Sequence, residues 1–148
     1  MSATLLKLIP VNPEYVPKKI FQEYGKLYLN KIFSNEEIIF STTNNVNFVD
    51  QGENFDTVSC NLCKQIIEIA FWQTKMDKSY ERHFTDLTFI TECCYELTSL
   101  NDLVYDYPAG FSCFIISIRN PIIEITERQI VNLENLLGTK LRLIWAHY

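Results

Sequence analysis

Hydrophobic and polar positions recur along this chain with periods that change from segment to segment, and each change marks the end of one element. Leu5 to Ile9 is a short apolar run ended by Pro10, with Pro13 and Pro17 close behind. That pattern predicts a strand followed by a rigid loop. Pro17 suits the first turn of a helix, and Phe21, Tyr24, Tyr28 and Ile32 recur at +3, +4 and +4. A helix with one apolar stripe is therefore expected to end near Phe33. Glu36 to Thr42 carries the β-branched pair Ile38 and Ile39, and after Asn44-Asn45 the alternation Val46, Phe48 predicts the return strand of a hairpin. The polar loop Asp50 to Asp56 precedes a second helix expected over Lys64 to Tyr80, with Ile69, Trp72, Met76 and Tyr80 on one face.

Thr85 to Thr91 then reads as a strand, Leu87 and Phe89 alternating with Thr88 and Ile90. Ser99 followed by Asp102 resembles a capping box, so Leu100 to Tyr105 is expected to make one helical turn before the Pro108-Ala109-Gly110 bend. Phe111 to Ile118 is apolar on both alternating faces, as a central strand must be, and Asn120-Pro121 closes it. Thr126 and Gln129 form a T-x-x-Q capping box, Ile125 and Ile130 fit a hydrophobic staple, and Gly138 supplies the stop. These place a helix from Glu127 to Leu137. Leu141 to Ala146 is the last strand. The order β-α-β-β-α-β-β-α-β predicts a single α+β domain over residues 1–148, a mixed or antiparallel sheet with about three helices packed on it.

Composition narrows the class. The chain has 148 residues, 47% hydrophobic and 14% aromatic, with only 4 Gly and 5 Pro, which excludes a disordered or low-complexity chain. Its 13 Lys and Arg against 18 Asp and Glu give a net charge of −5. This counts against nucleic-acid binding through phosphates and favours a basic protein partner. The first apolar run is broken by Lys7, too short for a signal peptide, and no stretch approaches the ~20 residues of a membrane span. A soluble, cytoplasmic protein is expected. In that reducing compartment five cysteines do not indicate a disulfide framework.

Four of the five are paired. Cys60 and Cys63 make a C-x-x-C, and Cys93 and Cys94 follow after 29 intervening residues. A C-x-x-C turn presents two thiolates to one tetrahedral ion, and a second pair completes a Cys₄ zinc site. Adjacent strand residues point to opposite faces, so Cys93 and Cys94 can both bind only from a turn, which the flanking Thr91-Glu92 and Tyr95-Glu96 permit. Such an ion would be a structural staple between the start of the second helix and the end of the strand at Thr91. Reduced packing cysteines and a redox pair are the alternatives. Cys113, inside the central strand, is expected to be core.

The same residues carry a resemblance. The run from Asp50 to Cys60, the Cys93-Cys94 pair, Ser99-Leu100-Asn101-Asp102-Leu103, Tyr107-Pro108-Ala109-Gly110-Phe111 and the ending Trp145-Ala146-His147-Tyr148 resemble a family of small uncharacterised bacterial proteins, over most of the chain. Its pattern, V-S-C-P-x-C-G and later C-C-G, is similar to a zinc knuckle and implies no reaction. Here Asn61 stands in place of the proline, and Lys64 and Tyr95 in place of the two glycines. Those glycines matter physically, because knuckle turns need φ > 0.

His83 and His147 are the only histidines, and His83 could approach Cys94 as a base or a ligand. Asp50, Glu53 and Asp56 form an acidic loop better read as a solvated turn than as a hard-metal site. No phosphate-binding glycine-rich motif occurs. Asn101 to Phe111, with Tyr105, Tyr107, Asp102 and Asp106, is read either as a contact surface or as a cap on the sheet edge. The resulting expectation is a non-enzymatic protein-interaction module, in one form an immunity-type protein that neutralises a basic toxin. Thiol chemistry, by the C-x-x-C pair or by a cysteine with His83, is the competing reading.

Overall fold

In the computed structural model, which describes residues 2–148, the elements are β1 (Thr4–Pro10), α1 (Lys19–Ile32), β2 (Ile38–Val49), β3 (Val58–Ser59), α2 (Ile69–Tyr80), β4 (Thr88–Ile90), β5 (Leu97–Ser99), β6 (Val104–Tyr105), β7 (Gly110–Arg119), α3 (Glu127–Leu137) and β8 (Leu141–His147). The fold is α+β. Four strands form one sheet in the order β2-β7-β1-β8, every neighbouring pair antiparallel. β7 lies inside the sheet, the place its two apolar faces require. Phe114, Ile116 and Ile118 of β7 and Leu6 and Leu8 of β1 form one core with Leu29, Phe33, Leu133 and Leu137 from the α1 and α3 side.

Local chemistry explains the two helices on that core. In α3 the Thr126 hydroxyl accepts from the Gln129 N–H at 3.1 Å, and the Gln129 side chain accepts from the Thr126 N–H at 2.9 Å. Gly138 ends the helix in the left-handed region, φ 76°. On α1 the buried line runs through Gly25 and Leu29, and Tyr24 is half exposed, so the expected stripe is rotated. The reason is close approach: a side chain at Gly25 would meet Leu137 of α3 at 3.0 Å.

A second core occupies the other end of β2 and β7. It contains Val46, Val58, Trp72, Met76, Phe89, Leu100, Tyr105 and Phe111, and so draws on α2, β3, β4, β6 and one end of the long strands. β3 pairs with β6, and β4 with β5, in ladders of two and three residues. Arg142 of β8 reaches into this half, where its Nη1 donates to the carbonyl oxygens of Asn101 and Ala109 and to Asn101 Oδ1, each at 3.0 Å. Lys7 of β1 holds the loop that leads into it, donating to the Asp50 carbonyl at 2.9 Å and to the Tyr148 hydroxyl at 2.6 Å.

Three expectations need correction. The hairpin at Asn44-Asn45 is instead a bulge in one continuous strand, with both halves of β2 paired to β7 and the register shifting between Thr42 and Asn47. Neither asparagine takes the positive φ a tight reversal needs, and β7 offers a partner along the whole length. The second helix begins at Ile69 rather than Lys64, because Ile67 donates its N–H to Val58 and Ser59 bridges Ile66. The helical turn over Leu100 to Tyr105 gives way to β6, since Val104 and Tyr105 pair with Ser59 and Val58. No helix among the described residues is long and apolar enough to cross a membrane.

Candidate metal centre

Two turns of the second half face each other, and they have the same hydrogen-bond plan. In the first, the Cys60 N–H donates to the Gln65 carbonyl at 2.8 Å, and the Lys64 N–H donates to the Cys60 carbonyl at 3.0 Å. In the second, the Thr91 N–H donates to the Glu96 carbonyl at 3.0 Å, and the Tyr95 N–H donates to the Thr91 carbonyl at 3.1 Å. The fifth position of each turn is left-handed, φ 68° at Lys64 and 55° at Tyr95. Neither is a glycine. The left-handed backbone is therefore held by side-chain-bearing residues, at a cost of roughly 1–2 kcal/mol each. Both side chains project into solvent, and Lys64 Nζ closes its own turn on the Asn61 carbonyl at 2.9 Å.

This equivalence places Thr91 opposite Cys60 and Cys94 opposite Cys63. Thr91, not a cysteine, holds the first position of the second turn; its Oγ1 lies 3.1 Å from Cys94 Sγ and accepts from the Glu96 N–H at 3.2 Å. The missing sulfur comes from Cys93, one residue before Cys94. Comparing T-x-C-C-Y with C-x-x-C-K position by position exposes this substitution in the sequence, although residue spacing alone does not.

All four sulfurs lie within 4.8 Å of one another, close enough together to hold a metal ion. Tetrahedral bonds of about 2.3 Å to a central ion would put sulfurs about 3.8 Å apart. Cys60 and Cys94 are 3.9 Å apart and Cys63 and Cys93 are 3.3 Å apart, far beyond the ~2.05 Å of a disulfide. The cluster fits the group. Cys60 is fully buried and the other three are partly buried.

Charge is unevenly tolerated among these thiols. Burial opposes ionisation of Cys60, but the N–H groups of Cys63 and Leu62 and the neighbouring thiols outweigh it and bring this thiol down to about 7. Burial, and next to it the hydrogen bonding with Cys63 and Cys60, push Cys93 up to about 12. A thiolate is favoured at Cys60, and Cys93 resists a second. A bound cation is what would let several ionise together.

The other sequence candidates lie elsewhere. His83 is outside the cluster and lines a separate cavity with Glu14 and Cys113. Cys113 is buried as expected, and burial, with the Glu14 charge, raises its thiol above the ordinary value, the reverse of an activated nucleophile. His147 is paired with Thr4 and Glu53 at the sheet edge. Asp50 is engaged by Lys7, and among the described residues Asp50, Glu53 and Asp56 form no metal-ligating group. Tyr105 is core, its hydroxyl donating to the Leu100 carbonyl at 2.7 Å and accepting from Trp72, while Tyr107 is exposed. No protein-family model, curated protein or solved structure matches this chain.

Proposed function

We propose that the chain is a non-enzymatic, cytoplasmic protein-interaction module whose second half is held together by one structural zinc ion on Cys60, Cys63, Cys93 and Cys94. The observation that carries this reading is the pair of matching turns converging four sulfurs within 4.8 Å. The donor set is all sulfur, which suits zinc, and with four protein ligands such a site is closed to substrate. The resemblance to small bacterial proteins with a zinc-knuckle-like pattern belongs to the same proposal.

Two features support the interaction role. Around the turns Leu62, Ile66, Tyr95 and Leu97 are exposed, Tyr95 by 79%. Residues 50–107 also hold 11 of the 18 acidic side chains and four of the 13 basic ones, so this segment carries −7 and the remainder +2. A basic protein partner, an immunity target among them, fits that half. Thiol catalysis is disfavoured by burial: Cys60, whose thiol is brought down to about 7, has no exposed surface.

The test is metal analysis of protein purified without chelator. About one zinc per chain, lost together with the thiols' protection from alkylation when a chelator is added, is the expected result. A metal-free, fully folded chain with freely alkylated cysteines would end the zinc proposal.

A further inference from the structure

The acidic half has one place where its charge is reversed. Only four basic side chains occur between residues 50 and 107, and three of them, Lys75, Lys78 and Arg82, line the same cavity of about 380 Å³. Lys75 and Lys78 come from the last two turns of α2 and Arg82 from just past its end. Among the described residues none of the three makes an ion pair. Lys75 has its Nζ 5.2 Å from the centre of the Phe71 ring, a contact that leaves its charge uncompensated.

The opposing charges inside the cavity fall short of three. Asp86 is the sole carboxylate on its lining, and that carboxylate is already engaged by the Thr88 hydroxyl at 2.6 Å and the Thr88 N–H at 3.0 Å. Those bonds, with a lesser contribution from Arg82, hold Asp86 below its ordinary value, so it counts as one full negative charge. The C-terminal end of the α2 dipole adds roughly half a charge more. A positive excess of about one and a half charges remains. The floor is of a different character: Phe89 and Leu100 are buried apolar side chains, and the Ser79 hydroxyl is spent on the Asp86 carbonyl at 2.7 Å.

We infer that this cavity is a binding site for a phosphomonoester carrying a small apolar group, its phosphate held by Lys75, Lys78 and Arg82 and its apolar part laid on Phe89 and Leu100. A phosphomonoester carries about −1.5 to −2 at neutral pH, which matches the excess. The volume falls at the lower end of the roughly 300–1,000 Å³ of small-molecule sites. A guanidinium and two ammonium groups give the point-charge and fork contacts that phosphate recognition uses. The site is independent of the cysteine cluster, so its failure would leave the zinc proposal standing, and the reverse.

The experiment titrates the intact chain with inorganic phosphate, phenyl phosphate and benzoate, followed by amide chemical shifts. Saturable shifts confined to residues lining the cavity are expected, with phenyl phosphate binding at least fivefold more tightly than inorganic phosphate and benzoate weakest. Lys78→Glu with Arg82→Glu, both at solvent-exposed positions, is expected to weaken phenyl phosphate at least tenfold while the remaining amide spectrum stays unchanged. Lys18→Glu with Lys19→Glu, on the other half, should leave binding as it was. Equal binding of phenyl phosphate and phosphate would overturn the apolar floor. Shifts spread over all surface lysines, no saturation, unchanged binding in the double variant, or tighter binding of a short RNA than of phenyl phosphate would overturn the site.

Discussion

The two halves of the molecule share β2 and β7 but are closed in different ways. The sheet half has strands of 7 to 12 residues, a capped helix and a core of leucine, isoleucine and phenylalanine. The cysteine half has strands of two or three residues and an aromatic core around Trp72, Phe48, Tyr105 and Phe111. Two-stranded ladders that short are marginal in water, so something besides the ladder must hold the turns in place. In the sheet half burial and backbone pairing suffice. In the cysteine half the four sulfurs sit where the ladders give out, and a metal there would replace the missing cooperativity.

On the zinc proposal, removing the metal is the largest available perturbation. Structural zinc in small domains binds with on the order of 10 kcal/mol of apparent free energy. A strong chelator is therefore expected to lower protection against amide hydrogen exchange by several kcal/mol in α2 and β3 to β6, while Leu6, Leu8, Ile116 and Leu133 keep theirs. Uniform loss across both cores, or none, would show that the halves do not differ in this way.

Arg142 tests how the halves are joined. Its guanidinium comes from β8 and its Nη1 makes all of its hydrogen bonds on the cysteine side, to Asn101 and Ala109. Burial is the chief influence on this group and depresses its pKa, with Asp102 opposing the shift. Arg142→Met keeps the stem and removes those bonds, at an expected cost of about 2–3 kcal/mol because carbonyl acceptors are left buried. Denaturant unfolding followed at Trp72 should then separate from unfolding followed in the sheet. A single coincident transition with unchanged midpoint would show that Arg142 is not the joint.

The sheet half was the more legible in sequence, for a physical reason. α3 was bounded at both ends by its own side chains: Thr126 and Gln129 at one, Gly138 at the other. β7 announced its interior place by being apolar on both faces. In the cysteine half the apolar face of Ile69, Trp72, Met76 and Tyr80 marks the helix but not its start, because Ile67 is buried by pairing to Val58, a contact that no local pattern encodes. The site was legible in its four cysteines and in the need for a turn at Cys93-Cys94. The equivalence of Thr91 with Cys60 is not legible in the cysteine spacing; it emerges only when T-x-C-C-Y is set against C-x-x-C-K, a pairing that the backbone hydrogen bonds identify.

The smallest effect is the most discriminating, because the halves should answer it with opposite sign. Tyr95 and Asn120 are both left-handed, φ 55° and 45°. In Tyr95→Gly the strain of roughly 1–2 kcal/mol is relieved, and the extra freedom of glycine in the unfolded chain returns about 0.5–1 kcal/mol of it. The side chain is 79% exposed, so little packing is lost. A net gain of about 0.5 kcal/mol is expected, together with slower loss of zinc to a competing chelator. In Asn120→Gly asparagine's own tolerance of this conformation leaves less strain to relieve. The change also removes the Oδ1 that accepts the Thr4 N–H at 2.9 Å where the chain enters β1, so a loss of about 1 kcal/mol is expected. Thermal unfolding of both variants decides it. If Tyr95→Gly destabilises as Asn120→Gly does, the left-handed turn at Tyr95 is not strained, and the matching of the two turns loses its energetic meaning.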